Sequence, residues 1–206
     1  MKSIAFLFVA LSLVGFKKKE VAAVQQSSSI LCADVICLGK MTAIDSTGFW
    51  ISVEKEIAND TPNKDLFQSK KLFVSYKTPA NTGYRNYGTQ MPTKDLPYIF
   101  TLKYDAKNNK IIPFYYAVGI PVDTKVTIGC YATGSTKYEK VTLNEFIKGI
   151  ILLRKCYPKV SVYQHELLNS KLSNVEILKL KNTNLALKIW VEEIEQRNEY
   201  YKNIKK

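Results

Sequence analysis

The chain has 206 residues and a formal net charge of +12, and 46% of its residues are hydrophobic while 23% are charged. This composition is typical of a globular protein and excludes a disordered or collagen-like chain. A single histidine, His165, excludes a histidine-rich metal site, and no apolar run reaches the ~20 residues of a membrane-spanning helix. We therefore predict no cofactor, no metal site and no transmembrane helix.

An apolar run over residues 4–16 follows Lys2 near the start of the chain. Its length fits the ~7–15 residues of the apolar region of a secretory signal peptide, and a buried N-terminal strand or helix is the alternative. Ala22 and Ala23 satisfy the small-residue rule for cleavage after Ala23. We therefore expect residues 1–23 to be a signal or leader segment, with export to the periplasm, the cell surface or the medium.

Leu13, Val14 and Gly15, with lysines at 17–19, resemble a bacterial lipoprotein leader. The lipidated cysteine of such leaders would fall at position 16, where this chain has Phe16. Phenylalanine has no sulfur to carry a lipid. The resemblance therefore implies export to the cell envelope without implying a lipid anchor, and contact with a membrane surface through the N-terminus is an alternative.

Residues 24–33 include the polar tract QQSSS, which is typical of a linker. The following region, residues 34–135, is predicted to be a β domain. Alternation of apolar and polar residues and turn-forming clusters indicate six short strands. These strands are predicted at residues 36–44, 49–54, 72–77, 98–104, 111–118 and 125–131, with a hairpin turn at 45–48.

The predicted fold class is α+β: a small antiparallel β-barrel or sandwich followed by C-terminal helices. Gly39 and Gly129 are predicted to mark bulges or bends in the first and last strands. The spacing of Gly39, the turn at 45–48 and the closing residues 126–129 is similar to that of small OB-fold domains of exported bacterial proteins. This resemblance implies a barrel that serves as a binding platform.

Residues 136–206 are predicted to be mainly helical. Thr142 and Glu145 have capping-box spacing before an apolar helical face, and Ser161 with Gln164 predicts a second helix ending near Leu172. Residues 174–191 fit either a helix or a hairpin about 182–184. A long terminal helix is predicted from about Asn184.

The four cysteines are even in number and none has the C-x-x-C spacing of a metal site. In an oxidising compartment we expect the disulfides Cys130–Cys156 and Cys32–Cys37. The alternative is four reduced and buried thiols that pack as small hydrophobic side chains.

The excess of basic residues is carried almost entirely by lysine, since only three of the thirty basic residues are arginine. Arginine reads phosphate and guanine with its planar fork, so this balance favours a solvated lysine surface over a nucleic-acid interface. An anionic membrane surface, an anionic glycan and nucleic acid are the alternatives.

The candidate binding site is a long aperiodic segment, residues 78–97, because loops of this length in compact domains are often functional. Its stacking and hydrogen-bonding side chains are Tyr84, Arg85, Asn86, Tyr87 and Gln90. The alternative is that its tyrosines pack onto the barrel. The partners that fit are a glycan, a peptide or an envelope protein, and nucleic acid is less favoured.

Together these features predict an exported, non-enzymatic binding or structural protein. One alternative is an OB-like nucleic-acid-binding module. The other is a hydrolase whose carboxylates cannot be paired from the sequence, with His165 isolated from any catalytic motif.

Overall fold

Five strands close a β-barrel, and helices cover one side of it. The computed structural model describes residues 26–76, 92–113, 119–132, 135–160 and 167–204. Within these residues the strands are β1 (Val35–Ile44), β2 (Gly48–Asn59), β3 (Lys71–Ser75), β4 (Pro97–Asp105), β5 (Lys110–Pro113), β6 (Gly119–Pro121), β7 (Val126–Ala132) and β8 (Ser135–Val141). The helices are α1 (Gln26–Cys32), α2 (Leu143–Cys156), α3 (Asn174–Lys181) and α4 (Leu185–Ile204).

The barrel strands follow the order β1-β2-β3-β5-β4, and a further pairing of β1 with β4 closes the ring. All of these pairings are antiparallel except that of β3 with β5, where Val74 pairs with Ile111. This arrangement confirms the predicted α+β fold with a small barrel followed by helices. Alternate residues of the barrel strands fill its interior, namely Val35, Cys37, Met41, Phe49, Ile51, Val53, Leu72, Val74, Tyr98, Phe100, Leu102 and Ile111.

The β1–β2 hairpin forms as the sequence predicts. The Asp45 carboxylate accepts hydrogen bonds from the backbone N–H of Thr47 at 2.7 Å and of Gly48 at 3.1 Å, which fixes the turn. The pairing register shifts between Leu38 and Gly39, which confirms the irregularity predicted there, whereas Gly129 pairs with Tyr138 in a regular β7–β8 register and the bend predicted at Gly129 is wrong. A Cβ atom at Gly39 would lie 2.8 Å from Ile51 Cγ2 and would also strike the backbone of β2.

Two predicted boundaries differ in the structure. The polar tract predicted as a linker is helix α1, in which Ser27 to Cys32 are all buried. Packing explains the difference, because a seven-residue helix is stable only through tertiary contacts and Ile30 and Leu31 lie in the core. The predicted sixth strand does not join the barrel: β7 pairs with β8 in a separate hairpin that extends past the expected boundary at residue 135.

The helical region agrees with the sequence in two places and differs in one. Thr142 caps α2, since its hydroxyl accepts from the Glu145 N–H at 3.2 Å. Residues 174–191 are helical on both sides of a turn at 182–184, and α4 is the predicted long terminal helix. Residues 167–172 are not helical, so the helix predicted to end at Leu172 does not reach it; residues 161–166, with His165, lie outside the described residues.

A second apolar core joins the helices to the outer surface of β1 and β4. Ile36, Leu38 and Ile99 point outward from the barrel into this core, where they join residues of α1, α2, α4 and the β7–β8 hairpin. Trp190 is fully buried there and meets the Phe146 ring edge to face, with centroids 5.0 Å apart. The helical layer therefore covers the β1/β4 side of the barrel.

The structure contains neither of the expected disulfides, because Cys32, Cys37 and Cys156 are free and buried. Cys37 points into the barrel interior while Cys156 lies in the helical core, so these thiols belong to different packed layers. Burial raises the pKa of Cys37 to about 12. The side chain of Cys130 lies outside the described part of the chain. In that described part, no helix is long and apolar enough to cross a membrane.

Candidate functional site

The side chains predicted to bind a ligand, Tyr84, Arg85, Asn86, Tyr87 and Gln90, all lie outside the described residues. The chain on either side of them is anchored to the β1–β2 hairpin. Before the segment, the Tyr76 N–H donates to the Thr47 carbonyl at 2.9 Å, and after it the Asp95 N–H donates to the Met41 carbonyl at 2.9 Å. Both anchors therefore attach to the half of the hairpin that contains its turn.

The outer face of β2 and β3 carries an aromatic pair beside that turn, an exposed Trp50 and a partly buried Phe73. Trp50 pairs with Ala43 of β1 on one side and with Phe73 of β3 on the other. The Trp50 and Phe73 rings lie 5.0 Å apart between centroids at an interplanar angle of 48°. Trp50 is 41% exposed although it lies in the middle of a sheet. Ala43, Trp50 and Phe73 therefore form a row across three paired strands, the aromatic row, in which the Trp50 ring is accessible for stacking.

A polar row lies next to the aromatic row on the same face. Ser52 of β2 pairs with Lys40 of β1 and with Lys71 of β3. Lys40 Nζ lies 3.2 Å from Glu54 Oε1. Across the described residues no ion pair involves Lys71, which is exposed. The face therefore offers aromatic rings and a lysine ammonium group within adjacent rows, which is suited to a ring-bearing or anionic ligand.

Local sequence determines why Trp50 points outward. Because side chains alternate along a strand, burial of Phe49 and Ile51 in the barrel turns Trp50 to the opposite face. Gly48 makes room for the neighbouring ring, since a Cβ atom there would lie 2.8 Å from Phe73 Cζ. The position of the aromatic pair therefore depends on the burial of Phe49 and Ile51 and on the absence of a side chain at Gly48.

The hydrolase alternative depends on a carboxylate pair, and the structure brings Asp34 and Asp60 together. Lys159 contacts both: it forms an ion pair with Asp34, and its Nζ lies 3.3 Å from Asp60 Oδ2. Lys103 Nζ lies 3.5 Å from Asp34 Oδ2, and Arg154 pairs with Asp60. Three cations therefore surround two carboxylates.

The electrostatics of Asp34 do not suit a general acid. Burial acts to raise the pKa of Asp34, but hydrogen bonds from Lys159 and the Tyr104 N–H, with the Lys103 charge, hold that pKa below its ordinary value. A general acid in glycoside hydrolysis needs a raised pKa. The same cations also bind backbone carbonyls at the end of α1: Lys103 Nζ donates to the Cys32 carbonyl at 2.7 Å. The cluster therefore joins α1 and α2 to the barrel.

The described residues contain no group of three or more histidine, cysteine, aspartate or glutamate side chains that could hold a metal ion. The sequence reasoning did not select Trp50 and Phe73 as site residues. Their outward position could be found from the alternation around Phe49, but the exposure of that face depends on where the helices pack.

Comparisons of this chain with protein families, with curated proteins and with solved structures find no match.

Proposed function

We propose that this protein is a non-enzymatic binding module whose ligand surface is the open outer face of β2 and β3. The observation that supports this function is the Trp50–Phe73 pair, in which Trp50 is exposed and neither ring belongs to the core that the helices share with β1 and β4. A tryptophan that is 41% exposed at mid-sheet leaves apolar area in water that a ligand could bury. An OB-like barrel uses its second and third strands in this way.

The chemistry of the face favours a ligand with rings that can stack. Sugar rings and aromatic or proline side chains of peptides stack on tryptophan, and an exported protein meets glycans and peptides of the envelope. The export expected from residues 1–23 therefore favours these partners over nucleic acid. The lysine row favours ligands with carboxylate or sulfate groups among them.

The second candidate function is binding of single-stranded nucleic acid, and the exposed Lys71 next to Phe73 favours it. Bases stack on aromatic rings while lysine neutralises phosphate. Such binding weakens steeply with salt because counterions are released from the phosphates. Salt dependence therefore separates this candidate from an uncharged glycan or a peptide.

The test is a binding screen with acidic and neutral glycans, peptides and single-stranded nucleic acid at physiological salt, followed by titration of variants. Trp50→Ala and Phe73→Ala should each weaken binding by ~1–3 kcal/mol, which is the range for loss of one stacking ring. The matched control is Tyr138→Ala, because Tyr138 is an aromatic residue of β8 that is 52% exposed. It should bind as the wild type does.

A second series tests the long segment predicted from the sequence. If the segment contributes to binding, Tyr84→Ala and Tyr87→Ala should weaken binding without lowering the melting temperature. Arg85→Lys keeps the charge but removes the planar fork, so a carboxylate or phosphate partner would be lost. Equal binding by wild type, Trp50→Ala and Phe73→Ala would contradict the proposed face, whatever the segment does.

A further inference from the structure

Three consecutive polar residues of α1, Gln26, Ser27 and Ser28, face one side of α4. Trp190, Glu193 and Arg197 are separated by three and four residues, which places them on one side of that helix. Trp190 Nε1 donates to Gln26 Oε1 at 3.4 Å, and Arg197 Nη1 donates to Ser28 Oγ at 2.8 Å. Between these two contacts, Ser27 faces the Glu193 carboxyl group.

The middle of this interface lacks good hydrogen bonds. Ser27 and Glu193 are only 1% and 3% exposed. Within the described residues, neither carboxylate oxygen of Glu193 makes a hydrogen bond of normal geometry, and neither does Ser27 Oγ nor Arg197 Nε. A buried carboxylate without good hydrogen bonds is unstable, whereas a protonated carboxyl group is neutral and costs less to bury. The interface therefore favours the protonated form of Glu193.

Both ends of α1 are held independently of Glu193. At the start, Gln26 Nε2 donates to the Thr127 carbonyl of β7 at 3.0 Å. At the end, Arg154 Nη1 donates to the Ala33 carbonyl at 3.1 Å, next to the Lys103 contact described above. None of these contacts involves Glu193, so the Glu193 contact is a separate part of the attachment.

We propose that Glu193 is a proton-controlled latch that holds α1 on the helical core when protonated and loosens it when ionised. Desolvation raises the pKa of Glu193 to about 7, and the Ser27 hydroxyl and the Arg197 charge act in the opposite direction. The latch therefore opens on passing from acidic to slightly alkaline conditions.

Three other titratable groups near this interface have raised pKa values. Burial raises the pKa of the Cys32 and Cys156 thiols above the ordinary 9.0 and that of Tyr157 to about 12. Glu195 is paired with Lys181 at 3.1 Å. Among the described groups with a shifted pKa at this interface, Glu193 is the one whose pKa lies between 5 and 8.

The test is amide hydrogen exchange of residues 26–33 in the full chain between pH 5 and 8, corrected for intrinsic rates. With pKa values of 4.5 open and about 7 closed, the opening constant of α1 should rise about 70-fold over this range. Glu193→Gln is neutral and similar in shape, so its opening constant should change less than threefold. Any effect of His165 is common to both proteins and cancels in the comparison.

Two further variants make the result specific. Glu192→Gln alters the adjacent residue, whose side chain is 43% exposed, and should follow the wild-type curve. Ser27→Ala removes the hydroxyl that opposes the pKa rise, so its transition should move to higher pH, which keeps the proposal testable if Glu193→Gln does not fold. Any one of three results would overturn the proposal. These are wild-type protection that changes less than threefold, a Glu193→Gln curve that coincides with the wild type, and an unmoved Ser27→Ala transition.

Discussion

Gly149 of α2 packs against the start of α4, and its replacement by alanine tests how tightly the helical layer is packed. A Cβ atom at this position would lie 2.8 Å from Ala186 Cβ, 2.9 Å from Asn184 Oδ1 and 3.0 Å from Trp190 Cζ3. The Ala186 methyl group is fixed to the backbone, and the Trp190 ring is fully buried. Asn184 is held from two sides, since its Nδ2 donates to the Glu145 carbonyl at 2.8 Å and its Oδ1 accepts from the Leu187 N–H at 2.7 Å.

Opposing effects determine the sign of the change. Alanine is favoured over glycine inside a helix by about 1 kcal/mol. A methyl group forced into a packed core costs about 1–3 kcal/mol, and disturbance of the Asn184 cap of α4 adds about 1 kcal/mol. We therefore expect Gly149→Ala to lower the free energy of unfolding by about 2 kcal/mol, which is a fall of about 4–8 °C in melting temperature for a chain of this size.

The assay is thermal and urea denaturation of wild type and variants in parallel. Lys148→Ala is the matched control, because Lys148 is the exposed neighbour on the same helix and its replacement should change stability by less than about 0.5 kcal/mol. Ala186→Gly should rescue Gly149→Ala with a coupling energy of at least about 1 kcal/mol. A melting temperature of Gly149→Ala equal to or above that of the wild type would refute the reasoning.

Three further predictions concern the barrel and its junction with the helices. The ionised form of Asp34 stabilises the fold above its ordinary pKa of 3.8, and this contribution is lost as the pH falls through the lowered pKa of the folded state. Acid denaturation should therefore be steeper in the wild type than in Asp34→Asn. Gly39→Ala places a methyl group against the β2 backbone and should lower stability by about 2 kcal/mol in urea denaturation. Cys32, Cys37 and Cys156 should react with a thiol reagent only after denaturation, and a disulfide-linked peptide in a non-reducing digest would contradict this.

Local signals explain the parts of the fold that the sequence predicts. The β1–β2 hairpin is encoded by alternation around Ile51 and by an aspartate turn, both within a few residues of one another. The start of α2 is likewise encoded locally, by the Thr142 cap. Even there the local motif is incomplete: the Glu145 carboxylate does not close a capping box but accepts from the Leu185 N–H at 3.1 Å, at the start of α4.

Long-range pairings explain the parts that the sequence does not predict. Closure of the barrel joins β1 to β4, and Val35 pairs with Leu102 across 67 positions of sequence. The burial of α1 depends on contacts with α2, α4 and β7, and none of these is visible in a serine-rich tract. Turn and period patterns report neighbours in sequence, so they cannot assign such pairings.

The two outer sides of the barrel contribute differently to stability. On the side of β1 and β4, outward residues such as Ile36 and Ile99 are fully buried, and their replacement by polar residues would destabilise the fold. On the side of β2 and β3, Trp50 keeps much of its surface in water, so it contributes less to the folded state than a buried tryptophan does. Trp190, by contrast, is fully buried, so replacement of Trp50 by alanine should cost less stability than the same replacement at Trp190.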